Sequence, residues 1–350
     1  MAILKDKEEL NLGISGPFEI IDLKTNKILF SGKDLVLSMV SAQEKGVRIK
    51  NTLYSTDSLL ISPKKDISIT VNKRKYRGDI SIFKDSSLNL MVVNKLDLEY
   101  YIKGVLLHEI SPKWPMDAIK AQAVAVRTYA MYQKEVMRSK HYDVMADTSS
   151  QVYGGYFSEM TKTNLGVSLT EGEVLLYKNK LFPAYFHATC AGTTENASEL
   201  SKINLEPLRG GRQCGFCATS PHYSWKAEMS LQDIREKLAG RCAFEGELAD
   251  ISVVERNPSG RARTIELKDD FNETCDISAK DFRFLMGPDI FRSTNFTITV
   301  EADKVIFSGK GWGHGVGLCQ WGALGMAKQG FSYKEILEFY YPGAKIIKLS

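Results

Sequence analysis

Tyr101-Ile102-Lys103-Gly104-Val105-Leu106-Leu107-His108-Glu109-Ile110-Ser111-Pro112-Lys113-Trp114-Pro115, followed by Met116 to Ala130, is the stretch on which the reading of this chain turns. It shows a short apolar run ending in a carboxylate, a proline-punctuated turn, and then a helix with Pro115 and Asp117 at its start. Proline there lacks only a donor that the first turn leaves unused, and an acid near the N-terminus suits the helix dipole. Ala118, Ile119, Ala121, Ala123, Val124, Ala125, Val126 and Ala130 make the helix apolar on nearly every side, which predicts a centrally buried helix. Gln122, Arg127 and Thr128 interrupt it. Among Leu106, Leu107, Ile110 and Trp114, the Glu109 carboxylate is open to desolvation, which would keep it protonated near neutral pH and fit it to donate a proton. The competing reading is structural: Glu109 caps the helix or pairs with Arg127.

Outward from this helix the chain is β-rich on both sides. From about Gly16 to Val93, runs such as Phe18-Glu19-Ile20-Ile21-Asp22-Leu23, Ile67-Ser68-Ile69-Thr70-Val71 and Ile80-Ser81-Ile82-Phe83 alternate between turn residues. A second β-rich stretch, about Leu248 to Val305, contains Ile251-Ser252-Val253-Val254, Thr264-Ile265-Glu266-Leu267 and Phe296-Thr297-Ile298-Thr299-Val300. The expected class is α+β, with a central buried Ala-rich helix and surrounding β-rich modules. We divide the chain into an N-terminal β-rich module, 1–95, and a catalytic domain, 96–350, carrying a β-rich insertion at about 245–306.

With 350 residues, 43% of them hydrophobic and 10% aromatic, the chain is ordinary globular stock, which excludes a disordered protein. A formal net charge of +4 without a dense Lys/Arg stripe argues against nucleic acid. No run approaches the ~18 apolar residues that read as a transmembrane helix, and Met1 to Leu10 lacks the charged-then-apolar pattern of a signal peptide.

Glycines at 309, 311, 313, 315 and 317 invite a nucleotide-binding reading, but no G-x-G-x-x-G register fits and neither Gly-Lys pair is followed by Ser or Thr. Alternating glycines do permit close backbone approach, here interleaved with Trp312 and His314. Trp312 is suited either to stacking on a sugar face or to a place in the core.

Cys214-Gly215-Phe216-Cys217 followed by His222 reads as a knuckle of metal ligands, and Cys190 would complete a tetrahedral site, with His187 in reserve. The expected ion is a structural zinc, since four protein ligands leave no open coordination position. A redox pair, disulfides or free thiols are the alternatives. Cys242 and Cys275 are placed to pair within the β insertion, and Cys319 reads as a small buried apolar residue.

Several of these segments, in this order, resemble the SpoIID/LytB family: Glu109-Ile110 with Trp114-Pro115, the run Ala118 to Ala130, and Gly311-Trp312-Gly313-His314-Gly315-Val316-Gly317-Leu318-Cys319-Gln320-Trp321-Gly322-Ala323. Tyr76-Arg77-Gly78, Gln151-Val152-Tyr153-Gly154-Gly155, Thr189 to Glu195 and Tyr340-Tyr341-Pro342-Gly343 extend the likeness over most of the chain. The resemblance implies a SpoIID-like fold and a lytic transglycosylase that cuts peptidoglycan between N-acetylmuramic acid and N-acetylglucosamine, preferring strands denuded of stem peptides. The family's catalytic acid falls on Glu109. Some members place metal-binding cysteines in the stretch just after the Ala-rich helix; that stretch here, His141 to Tyr153, has none.

In that chemistry a single carboxylate protonates the glycosidic oxygen and then takes the proton of the muramoyl C6 hydroxyl as it closes on C1, whereas an ordinary glycosidase needs two carboxylates. Gln122, Arg127, Gln151, Tyr153, Thr189, Thr194, Glu195, Trp312, His314 and Gln320 are the candidate substrate contacts. Glu195 or Asp147, if opposed to Glu109, would restore a hydrolase. The resemblance also implies an extracytoplasmic site of action, although no export signal is visible, and an amidase as functional partner. Two other classes remain: a glycan-binding amidase enhancer without cleavage of its own, and a zinc hydrolase acting through the Cys/His cluster.

Overall fold

A computed structural model of the chain describes residues 1–64, 66–137, 141–147 and 150–349. The class is α+β, and the chain divides into two compact units. Unit 1 comprises Met1–Val174 with Leu181–Pro183 and the residues from Lys348 onward; unit 2 comprises Leu175–Lys180 and Ala184–Ile347. The module boundary expected near residue 95 therefore falls inside unit 1.

Among the described residues, unit 1 opens with two six-stranded sheets. The alternation read in the sequence places their strands: Phe18–Asp22, Ile69–Val71 and Asp79–Lys84 bury Phe18, Ile20, Ile69, Val71, Ile80 and Ile82. Ser58–Pro63 pairs antiparallel with both Phe18–Asp22 and Asp79–Lys84, and so buries Leu59 and Ile61 between them. The strand Leu90–Lys95 then leads into helix α1, Leu98–Glu109, whose N-cap Asp97 accepts from the Glu99 N–H.

The apolar run before Glu109 is thus helical, and Glu109 is its last residue. The turn Ile110 to Pro115 separates it from α2, Met116–Val136, which starts after N-cap Pro115 and carries Asp117 in its first turn. Every residue from Ala121 to Ala130 is buried, as the all-round apolar pattern predicts. Helix α3, Thr161–Leu169, packs on both α1 and α2.

Unit 2 contains a subdomain that is larger than the expected insertion. Strand Ser224–Ser230 pairs antiparallel with Lys304–Lys310, so the segment closes on itself at 224 rather than near 245. Between these strands lie α4, Leu231–Leu238, the meander Leu248–Arg256, Ala262–Asp269 and Thr274–Ser278, α5, Ala279–Met286, and the strand Phe296–Glu301. Its own core gathers Trp225, Phe282, Phe291, Phe296 and Phe307. Cys242 and Cys275 form a disulfide there.

The remainder of unit 2 is built on short parallel pairing of Phe186–His187 with Leu318–Cys319, followed by α6, Gln320–Lys328, and α7, Tyr333–Tyr340. No described helix is long and apolar enough to cross a membrane.

Candidate active site

In unit 1 the candidate acid, Glu109, is half-buried at the C-terminal end of α1. Its charge is felt by Tyr101 two turns earlier, whose hydroxyl is pushed well above its usual pKa by burial first, then by Tyr129 and Glu109. The Tyr101 hydroxyl donates to Gln151 Oε1 at 2.8 Å. Tyr101, Tyr153 and Tyr76 form a run of stacked rings, with centroids 5.6 and 6.2 Å apart. A Cβ at position 104 would lie 2.2 Å from the Tyr153 ring, so Gly104 is what lets this ring dock against the helix that carries the acid. Tyr153 and Gln151 are each 1% exposed, which makes them supports of α1.

Arg127 is also a support. Its guanidinium is fully buried, grips Glu99 through Nε and Nη2 at 2.8 and 2.7 Å, and donates to the Glu173 carbonyl at 2.9 Å. The carboxylate it holds is therefore that of Glu99, on the first turn of α1, rather than that of Glu109. Gln122 is different in kind: it is 1% exposed, and neither amide atom has a partner among the described residues.

His108, which was not among the candidates, lies beside Glu109 and shares a 2.7 Å hydrogen bond with Ser158 Oγ. Burial and the neighbouring Arg74 lower its pKa, which favours neutral imidazole. The only sequence signal for it was adjacency to Glu109.

In unit 2 the Gly-rich loop lies against the segment 185–195. Trp312 and Thr189 exchange backbone hydrogen bonds at 2.9 and 3.0 Å, and the Glu195 N–H donates to the Gly315 carbonyl at 2.8 Å. Gly315 has φ +83°, and a Cβ there would meet the Arg261 guanidinium at 2.6 Å. Trp312 is half-buried, with the Arg292 guanidinium 5.1 Å from its ring and His222 edge-on at 4.5 Å.

His314 accepts from the Val316 N–H through Nδ1 at 3.0 Å, which assigns the proton of its neutral form to Nε2. Burial, then the Arg261 and Arg283 guanidiniums, bring its pKa down to about 4. His187 is the complement: a carbonyl only accepts, so Nδ1 donates to Val316 O at 3.0 Å, and its buried Nε2 has no partner among the described residues. A 270 Å³ cavity is lined by Tyr185, Lys280, Arg283, Thr294, Gly313 and His314.

Thr189 and Thr194 are buried and spent on Ser220 Oγ and the Arg212 N–H. Glu195 is 2% exposed: Oε1 accepts from the Asn196 N–H at 2.7 Å, and Oε2 from Asn257 Nδ2 and Ser259 Oγ at 2.5 and 2.8 Å. Gln320 is buried in the first turn of α6. Asp147 is exposed in unit 1.

Cys190, Cys214 and Cys217 converge as expected, but the fourth side chain with them is Cys319. His222 stands against Trp312 instead.

A family model described as stage II sporulation protein matches residues 86–177, and one described as a domain of unknown function matches 202–317. The chain is 34% identical over 344 residues to an uncharacterized protein of Brachyspira hyodysenteriae, covering 97% of this chain and 90% of that protein. It is 27% identical to the amidase enhancer of Bacillus subtilis over 97% of this chain and 52% of the relative, about half of that protein's length. It is 28% identical to stage II sporulation protein D of Bacillus amyloliquefaciens over 78% of this chain and 83% of the relative.

Proposed function

Because the chain belongs to the SpoIID/LytB family, whose members here carry the names stage II sporulation protein D and amidase enhancer, we propose that it is a peptidoglycan lytic transglycosylase that acts outside the cytoplasm. Glu109 is its single general acid and base. The observation that carries this reading is the setting of Glu109, half-buried on the last residue of α1. The C-terminal end of a helix is the negative end of its dipole, where a carboxylate draws no support from the backbone. Such a group donates a proton to the glycosidic oxygen and, once ionised, receives one from the muramoyl C6 hydroxyl as that oxygen closes on C1. The glycosidic bond breaks, a 1,6-anhydro ring forms, and no water is consumed.

The three donors on the Glu195 oxygens, from Asn196, Asn257 and Ser259, support a structural carboxylate there in place of the second catalytic carboxylate of an ordinary glycosidase. Lys280 and Arg283 along the 270 Å³ cavity suit the free lactyl carboxylates that a strand bears once its stem peptides are gone. This supports denuded glycan as substrate and an amidase as the partner that prepares it.

The test is mass spectrometry of soluble products from amidase-treated sacculi incubated with wild type and with Glu109→Gln. Anhydromuramoyl ends from wild type alone are expected. The likeness to an amidase enhancer over 97% of the chain favours a second reading, wall binding that stimulates an amidase without cleavage. No release by a folded, sacculus-binding wild type would put that reading first.

A further inference from the structure

Cysteine use in this chain divides sharply. Cys242 and Cys275 form a disulfide, whereas Cys190, Cys214, Cys217 and Cys319 are thiols, none more than 1% exposed. The four come from three separate stretches of unit 2: just beyond the Phe186–His187 strand, the one-turn helix Gly215–Cys217 with the residue before it, and the N-cap of α6. Their sulfurs all lie within 4.8 Å of one another, and Cys190 and Cys217 are 3.6 Å apart. A tetrahedron of sulfurs about 2.3 Å from a central ion has edges of about 3.8 Å, whereas bonded sulfurs lie about 2.05 Å apart. The spacing is that of ligands around one ion.

The surroundings are those of thiolates. The backbone N–H groups of Cys190 and Gly322 both point at Cys319 Sγ from 3.3 Å, and the Tyr340 hydroxyl lies 3.0 Å from Cys214 Sγ. Donors aimed at a buried sulfur orient a metal ligand and spread its charge. Arg261, 1% exposed, donates to the Cys190 and Thr193 carbonyls at 2.9 and 3.0 Å, and so sets a buried cation beside a cluster that would carry excess negative charge.

We propose that Cys190, Cys214, Cys217 and Cys319 bind one Zn²⁺ in a closed tetrathiolate site that ties the loop after Thr189, the Cys-x-x-Cys turn and the start of α6 together. Soft sulfur donors in tetrahedral array select zinc, and four protein ligands leave no position for a reactive water. The sulfurs are too close to surround an iron–sulfur cluster. The ion also protects four adjacent thiols in a compartment oxidising enough for the Cys242–Cys275 bond. The site therefore has no part in bond cleavage, and it excludes the reading of the cysteines as a zinc hydrolase.

The experiment measures metal in the purified full chain by plasma mass spectrometry and reads the first shell by zinc X-ray absorption. One zinc per chain with sulfur alone at about 2.3 Å is expected. Cys319→Ser should lose the zinc and His222→Ala keep it, and a strong chelator should lower the melting temperature, with restoration by zinc and not by magnesium. If Cys319→Ser does not fold, the absorption spectrum of the wild type decides by itself. A metal-free chain with two further disulfides, an imidazole nitrogen in the first shell, retention of zinc by folded Cys319→Ser, or iron in place of zinc would each overturn the proposal.

Discussion

Glu109 and Glu195 both stand in segments that mark the family, yet their surroundings are opposite. Glu109 is half-buried on the last residue of a helix. Glu195 is 2% exposed in an irregular segment, with three donors on its two oxygens. A general acid must hand its proton to a substrate, so it needs an oxygen that a substrate can reach. A carboxylate whose oxygens are taken by protein donors serves instead to hold loops together. The difference teaches that identity and neighbourhood in sequence do not separate a candidate acid from a scaffolding carboxylate; exposure to an incoming substrate does.

Glu109→Gln breaks the comparison on its catalytic side and carries the largest effect. Cleavage of denuded glycan should fall by about 100- to 10,000-fold, while sacculus binding in a pull-down and the melting temperature stay close to wild type. A variant that cleaves normally would remove Glu109 from the mechanism.

The scaffolding side is tested next. Glu99→Ala leaves the fully buried Arg127 guanidinium without its carboxylate, and should cost about 3–5 kcal/mol in chemical denaturation. Glu195→Ala strands the donors of Asn257, Ser259 and Asn196, and should cost about 2–3 kcal/mol. Activity per folded molecule should survive it. A Glu195→Ala protein of normal stability and no activity would reverse the roles assigned to the two carboxylates.

Smaller effects sharpen the picture of unit 2. Gly315→Ala places a methyl against Arg261 at a positive φ, and should cost about 1–3 kcal/mol in the same denaturation experiment. The His314 pKa in the folded chain, about 4, lies below the ordinary 6.5. Folding thus favours the neutral ring, so this contribution is full above pH 6.5 and is lost as pH falls from 6.5 toward 4. His187, depressed by burial, adds in the same direction. The melting temperature should decline across that window, and His314→Gln should flatten the decline.

Much of this was legible in the sequence, and what was not has a common cause. Local signals placed α2, because a one-sided Pro start and an all-round apolar run need no partner to be read. Alternation placed the strands of the 248–305 stretch. Pairing over distance was hidden. Ser224–Ser230 closes with Lys304–Lys310 across some eighty residues, so the subdomain starts earlier than its composition suggests. Arg127 on α2 meets Glu99 on the first turn of α1, 28 residues away, although Glu109 was the nearer acid in the motif. Cys319 joins Cys190 from 129 residues away, and in an apolar Gly-rich loop a single cysteine carries no sign of its partners. Gln122 was legible as a polar interruption, but that its amide has no partner among the described residues is a property of packing alone.

The most direct test of a one-carboxylate mechanism is cleavage of denuded glycan in oxygen-18-enriched water, with the muramoyl ends analysed by mass spectrometry. If Glu109 acts alone and the C6 hydroxyl is the nucleophile, the new ends are anhydro and carry no label. Oxygen-18 at the anomeric carbon of the new ends would mean that water attacked, that a second base exists, and that the assignment of Glu109 as the sole acid and base is wrong.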